Sequence, residues 1–320
     1  MTILTKNIPT ADIIVEAHER IKPFVHQTPV MTSQSINAIS GARLYFKCEN
    51  FQKVGAFKFR GATNAVFSLN EDERQKGVAT HSSGNHGQGL ALAAKMQKIP
   101  AYIVMPENAP RVKRLAVEGS GAEVIPCKNT LASREETLQK VVEQTGAITI
   151  HPFDDYRIIA GQATAAKELI EEQGQFDVIM TPVGGGGLLS GTALTCHYWS
   201  PLTKVIAGEP SGADDAIRSM KAGTIIPCPQ PSTIADGLLT TICERTFGII
   251  KDHVSDIISV TDDEIVAAMR LIWERMKIIV EPSAAVPVAA LLKNKEEFKG
   301  KKIGIILTGG NVDLDKLPFR

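Results

Sequence analysis

Val178-Ile-Met-Thr-Pro-Val-Gly-Gly-Gly-Gly-Leu-Leu-Ser-Gly-Thr-Ala-Leu194 passes from a run of strand formers, through four successive glycines, into a helical pattern. Apolar residues on consecutive positions read as a strand buried on both faces, the habit of parallel sheets. Glycines reach backbone conformations closed to other residues. Gly184, Gly185, Gly186 and Gly187, with Leu188, can therefore turn several amides toward one anion at a helix N-terminus, forming a candidate phosphate cup. The stretch lacks the Gly-Lys-Ser/Thr ending of a nucleoside-triphosphate loop and the spaced glycines of a dinucleotide fingerprint. A plain flexible loop is the alternative reading.

The same alternation of strand-length apolar runs and helical segments extends outward in both directions, which makes the chain α/β. Strands are predicted over 44–48, 77–81, 101–105, 123–126, 147–150, 178–182, 204–208 and 302–307. Amphipathic helices are predicted over 11–22, 88–96, 111–118, 133–143 and 262–277. Thr261 with Glu264 three residues on reads as a capping box at the start of the last of these. No repeat and no Pro-, Gly- or Ser-rich linker divides the chain, so a second domain is expected as an insertion: residues 68–154 between a large domain of 1–67 and 155–320.

Composition narrows the partners. The 320 residues carry 35 Lys+Arg and 35 Asp+Glu and are 43% hydrophobic, enough for large cores and without excess charge to draw nucleic acid or an anionic membrane. A small-molecule partner is expected. No basic segment followed by an apolar run opens the chain, and no apolar stretch approaches bilayer length, so the expected location is cytoplasmic. The five cysteines, Cys48, Cys127, Cys196, Cys228 and Cys243, are scattered without metal-ligand spacing and read as idle thiols.

Two further stretches carry chemistry. The strand ending at His81 runs into Ser82-Ser83-Gly84-Asn85-His86-Gly87-Gln88 and then a helix, so the first-turn amides can receive a carboxylate; an ordinary capped turn fits the local pattern too. Lys58 lies in Gly55-Ala-Phe-Lys-Phe-Arg-Gly-Ala62, where aromatic and small neighbours would ease loss of its proton. By itself this lysine could equally be a surface residue with its stem along the core.

Together, and in this order, the three segments resemble the fold type II (tryptophan synthase β-like) pyridoxal-phosphate enzymes, specifically the serine/threonine dehydratase and serine racemase branch. The similarity runs from His26-Gln-Thr-Pro29 through Glu49-Asn-Phe-Gln52, Ala160-Gly-Gln-Ala-Thr164 and Ile234-Ala-Asp-Gly237 to Glu281-Pro-Ser283 and Thr308-Gly-Gly-Asn-Val-Asp313. It implies two open, twisted, mostly parallel sheets flanked by helices, with pyridoxal 5'-phosphate as cofactor. Lys58 would hold the cofactor as a Schiff base, Asn85 would bond its phenolic oxygen, Gly184 to Leu188 its phosphate, and Thr308 would face the pyridine nitrogen. A threonine hydroxyl enforces ring protonation less than a carboxylate would, so elimination is expected to compete well against a long-lived carbanion.

The resemblance also assigns Ser82, Ser83, Gly84, Asn85 and His86 to the substrate, with Ser83 as an acid/base group facing Lys58 across the ring, the arrangement racemisation requires. Arg134 and His151 would form a cationic pair for a second carboxylate. Glu209, the Ala213 carbonyl and Asp215 would bind Mg²⁺ or another divalent cation, and Lys53, Lys113, Arg275, Lys277 and Asn311 would form a nucleotide effector site. Relatives suggest a homodimer, and no feedback control through an added C-terminal domain is expected. Ala56, where many relatives carry Ser, and Phe153-Asp154-Asp155 depart from the pattern. The implied activity is dehydration or racemisation of small hydroxy amino acids such as L-serine and L-threonine. A 3-hydroxyaspartate ammonia-lyase and a β-replacement enzyme of cysteine-synthase type are the alternatives.

Overall fold

The computed structural model describes residues 7–82, 84–109 and 111–319, leaving aside the side chains of 111–113. Its strands are β1 Val30–Met31, β2 Arg43–Cys48, β3 Val78–His81, β4 Ala101–Pro106, β5 Glu123–Cys127, β6 Ile148–Thr149, β7 Val178–Pro182, β8 Lys204–Pro210, β9 Asp256–Val260 and β10 Lys302–Leu307. They form one sheet in the order β1-β2-β10-β7-β8-β9 and another in the order β5-β4-β3-β6. Every pairing is parallel except β1 with β2.

The consecutive apolar residues do what that pattern requires: neighbouring positions enter cores on opposite faces. Val178 and Met180 join one cluster with Ile303, Ile305 and Leu307, while Ile179 joins another with Val205 and Ala207. In the smaller sheet, Val78 and Ile103 pack on one face and Ala79 and Val104 on the other. Helix Asp262–Met276 begins as its sequence predicts, with Glu264 N donating to Thr261 Oγ1 at 3.3 Å and Thr261 N donating to Glu264 Oε2 at 2.7 Å.

Strand order positions the site. β2, β10 and β7 are adjacent and parallel, so the Lys58 segment, Thr308 and the glycine cup all follow the same end of one sheet. Chain order switches between β10 and β7, the place where open parallel sheets receive ligands. Helix Lys58–Phe67 then crosses to the smaller sheet, where Phe59, Ala62 and Val66 pack with Val78, Leu90 and Ile103.

Candidate active site

The backbone before Lys58 is tightly held. Ala56 bridges Gly309, and Phe57 N donates to Thr308 O at 3.0 Å. Val54 adopts φ +57°, a left-handed conformation costly for a β-branched residue, and its carbonyl accepts from Asn311 Nδ2 at 2.7 Å. Lys58 then opens its helix, and its Nζ donates to Pro152 O at 2.9 Å. Burial pushes the Lys58 ammonium down to about 8, against the pull of the Glu281 charge. An amine so lowered keeps a minor but substantial neutral population near physiological pH, the state a nucleophile or base needs.

The cup is built so that side chains are excluded. A Cβ on Gly185 would stand 2.3 Å from the Phe153 ring, one on Gly187 3.0 Å from Phe153 Cβ, and one on Gly184 3.0 Å from Leu238 Cα. Gly186 has φ +88°, and a Cβ there would meet Thr246 and Ile250 at 2.9 Å. Helix Gly187–Trp199 starts inside the cup, so its unpaired first-turn amides face the same space.

In the turn after β3, the Ser82 hydroxyl accepts from Gly84 N at 3.3 Å and Gly87 N at 3.1 Å, so it caps the turn. His86 is 2% exposed, and its Nε2 lies 3.1 Å from Ile150 O. Burial, with Lys58 nearby, pushes His86 down to about 3, which makes it a neutral anchor whose ring points inward. Asn85 Nδ2 donates to both Glu281 oxygens, at 2.9 and 3.1 Å, and its Oδ1 accepts from Asn311 Nδ2 at 2.9 Å. Ser83 lies outside the described residues, as does the side chain of Lys113.

Thr308 is 2% exposed and its Oγ1 has no hydrogen-bond partner among the described residues. A buried orphan hydroxyl at the end of β10, beside a glycine cup and a partly neutral lysine, fits the ring nitrogen of a phosphate-bearing aromatic cofactor. Lys58, the cup, Asn85 and Thr308 are thus brought to one site.

Arg134 and His151 differ in character: burial pushes His151 down to about 4, and its Nδ1 accepts from Asp154 N at 2.9 Å, an arrangement that favours the neutral imidazole. The His151 ring is 6.0 Å from that of His81, and the charge of Arg134 bears on His81. Arg134 Nη2 donates to Asn129 Oδ1 at 2.7 Å, while its Nε is buried and without a partner among the described residues.

Glu209, at the end of β8, accepts from Ala216 N at 2.8 Å and Ile217 N at 2.9 Å; Asp215 accepts from Ile242 N at 2.9 Å. Burial pushes Glu209 up to about 8 and Asp215 up to about 6, each against the pull of its amide bonds. Ala213 is buried beside them in sequence. No group of three or more acidic, His or Cys side chains suited to a metal occurs among the described residues. The effector residues lie on segments that meet: Asn50, just before Lys53 in the chain, donates its Nδ2 hydrogen to the carbonyl of Ile279, just after Lys277, at 3.1 Å, and Asn311 is committed to Val54 and Asn85. Arg275 and Lys277 are exposed.

Glu281 joins the site without a local sequence signal: it is 4% exposed at the start of helix Pro282–Lys293 and accepts from Asn85 Nδ2. Phe153 and Pro152 carried no local signal. Among the described residues, no helix is long and apolar enough to cross a membrane.

Comparison with known proteins agrees with this geometry. A family model described as pyridoxal-phosphate dependent enzyme matches residues 21–309. The chain is 53% identical to a beta-hydroxyaspartate dehydratase of Paracoccus denitrificans, over 98% of this chain and 99% of that protein. It is 48% identical to an L-threo-3-hydroxyaspartate ammonia-lyase of Saccharomyces cerevisiae, over 97% and 96%. The crystal structure of serine racemase from Dictyostelium discoideum superposes with a TM-score of 0.91 at 54% identity, covering 95% of this chain and 99% of that one. A lysine presented beside a glycine cup and an orphan hydroxyl, on a chain matched from end to end by such relatives, belongs to the family of pyridoxal-phosphate dependent enzymes.

Proposed function

We propose that this chain removes the α-proton and then the β-hydroxyl of a small hydroxy amino acid, giving a 2-oxo acid and ammonia, with racemisation as the other outcome of the same proton removal. The observation that supports it is Lys58, lowered to about 8 by burial, whose Nζ donates to the carbonyl of Pro152, next to the Phe153 that walls the glycine cup, and whose neighbour Phe57 donates its N–H to Thr308 O. When bound, the cofactor supplies an electron sink for the charge left at the α-carbon. The cup would hold its phosphate, Asn85 its phenolic oxygen and Thr308 its ring nitrogen.

The chain's own groups do the rest. Lys58 in its neutral form takes the α-proton, and the Pro152 carbonyl keeps the resulting ammonium directed. First-turn amides of helix Asn85–Gln97 hold the substrate carboxylate, which fixes the α-hydrogen relative to Nζ. Ser83, two positions before Asn85 in the sequence, is proposed to return a proton on the opposite face, the step that separates racemisation from elimination.

Within this chemistry, 3-hydroxyaspartate is favoured as substrate over serine or threonine. Arg134 pairs with no carboxylate among the described residues and has a buried Nε without a partner, which suits a second substrate carboxylate. The two relatives named for hydroxyaspartate chemistry support the same choice.

A divalent cation such as Mg²⁺ is proposed at Glu209, Asp215 and the Ala213 carbonyl, with waters completing the shell. Two neighbouring buried carboxylates, each pushed up in pKa and without an ion-pair partner among the described residues, support it. The division into a large domain and an inserted domain of 68–154 is supported by the position of β3 to β6, all within residues 78–149.

The test is to incubate purified protein, supplied with pyridoxal phosphate, with L-serine, D-serine, L-threonine and the diastereomers of 3-hydroxyaspartate. Ammonia, 2-oxo acid and enantiomer ratio are measured. The expected result is 2-oxo acid from a 3-hydroxyaspartate diastereomer in preference to serine; absence of every product from protein with bound cofactor would overturn the reading.

A further inference from the structure

The glycine cup has two flanks drawn from distant parts of the chain. Phe153 lies against Gly185 and Gly187 on one flank, and Thr246 lies against Gly186 on the other. A charge stands one residue from each: Asp154 follows Phe153, and Arg245 precedes Thr246. Arg245 Nη1 donates to Asp154 Oδ1 at 2.6 Å and to Asp154 O at 3.3 Å, and its guanidinium carbon is 5.4 Å from the Tyr156 ring centroid. Both partners are anchored. Asp154 N donates to His151 Nδ1 at 2.9 Å, and Cys243 N donates to Thr246 Oγ1 at 3.1 Å at the start of helix Glu244–His253.

We propose that the Asp154–Arg245 pair is a clasp that fixes the separation of the two flanks of the cup and thereby sets how tightly the cofactor phosphate is held. The Arg245 and Asp154 side chains are 42% and 31% exposed, so the pair adds little to global stability. Its effect is local, because each partner is bonded through one peptide unit to a residue that forms the cup wall. Asp154 and Arg245 are positioning residues in this account, and neither is assigned a contact with the cofactor. The inference rests on the reading of the cup as the site of the pyridoxal-phosphate phosphate group.

The experiment titrates the full-length apo-protein with pyridoxal phosphate, read by the visible absorbance of the bound cofactor, for the unaltered chain, Arg245→Gln, Asp154→Asn and the double variant. Pyridoxal, which lacks the phosphate, is titrated in parallel, and the Tm of each apo-protein is recorded. The clasp predicts that each single variant weakens pyridoxal phosphate binding about fivefold and that the double variant weakens it no further. Pyridoxal binding and apo-protein Tm should stay unchanged. Single effects that multiply in the double variant, equal weakening of pyridoxal, or unchanged affinity for pyridoxal phosphate would each overturn the clasp. An unaltered chain that gives no absorbance band removes the cofactor reading and the clasp with it, whereas a normal band with unresponsive variants removes the clasp alone.

Discussion

Lys58 Nζ donates to the Pro152 carbonyl at 2.9 Å, and Pro152 is followed by Phe153, whose ring covers Gly185. The residue that would move the proton and the wall that would hold the phosphate are therefore coupled through one short segment.

The first prediction concerns pH. Burial places the Lys58 ammonium at about 8, and only the neutral amine can attack the cofactor aldehyde. The rate at which apo-protein takes up pyridoxal phosphate should rise with pH and level off above about 8, as followed by stopped-flow absorbance. A profile whose midpoint lay at the ordinary lysine value would show that burial does not activate this group. Lys58→Ala should lower the rate of product formation by roughly 10³-fold or more.

A second prediction concerns stability beneath the site. Arg60 is fully buried, and its guanidinium meets Glu49 Oε2 and Glu168 Oε1, each at 2.7 Å; Lys47 Nζ reaches Glu168 Oε2 at 2.6 Å. Two cations and two carboxylates balance in the interior. Glu49→Gln leaves a positive charge there uncompensated, and urea unfolding should show a loss of about 3–5 kcal/mol. A loss below about 1 kcal/mol would mean that water reaches the cluster.

Third, Glu209 links cation binding to pH. Its folded value of about 8 lies above the ordinary carboxylate range, so between the two values the folded protein holds a proton that the unfolded chain has lost. Without a divalent cation, stability should fall as pH rises from about 4.5 to about 8 and then level off. Mg²⁺ favours the ionised carboxylates, so the rise in Tm that it causes should be larger at pH 8 than at pH 5, and Glu209→Gln should reduce the difference to the share that Asp215, raised to about 6, contributes. A Tm increment independent of pH would place any bound cation elsewhere.

Fourth, Arg134 is expected to choose the substrate. Arg134→Gln should lower kcat/KM for the 3-hydroxyaspartate diastereomer that is used by roughly 10- to 100-fold, the worth of a charge-assisted hydrogen bond, while leaving L-serine turnover little changed. Equal losses on both substrates would assign Arg134 a structural role.

Much of this was legible because it is local. Two strands, Val178–Pro182 and Lys302–Leu307, have the bounds that their apolar runs predict, and the Thr261 capping box forms with both bonds. Strand Asp256–Val260 gives no clear signal because it lies at a sheet edge and Asp256 and Ser259 interrupt its apolar run; Val30–Met31 is too short to show a period. Helix Asn85–Gln97 starts three residues before its predicted bound because Gly87 and the polar turn conceal the helical pattern. At the site, the glycines announce themselves as a run between a strand and a helix, and Asn85 is reached through the family resemblance. Glu281 and Phe153 do not announce themselves, since each acquires its role through a contact with residues far away in sequence, and no local pattern encodes that.

The account depends most on Lys58 carrying the cofactor. Holoenzyme reduced with borohydride, digested and mapped by mass spectrometry should show the pyridoxyl group on the peptide that contains Lys58 and on no other lysine. A label on a different lysine, or none on protein that absorbs as a bound-cofactor complex, would contradict it.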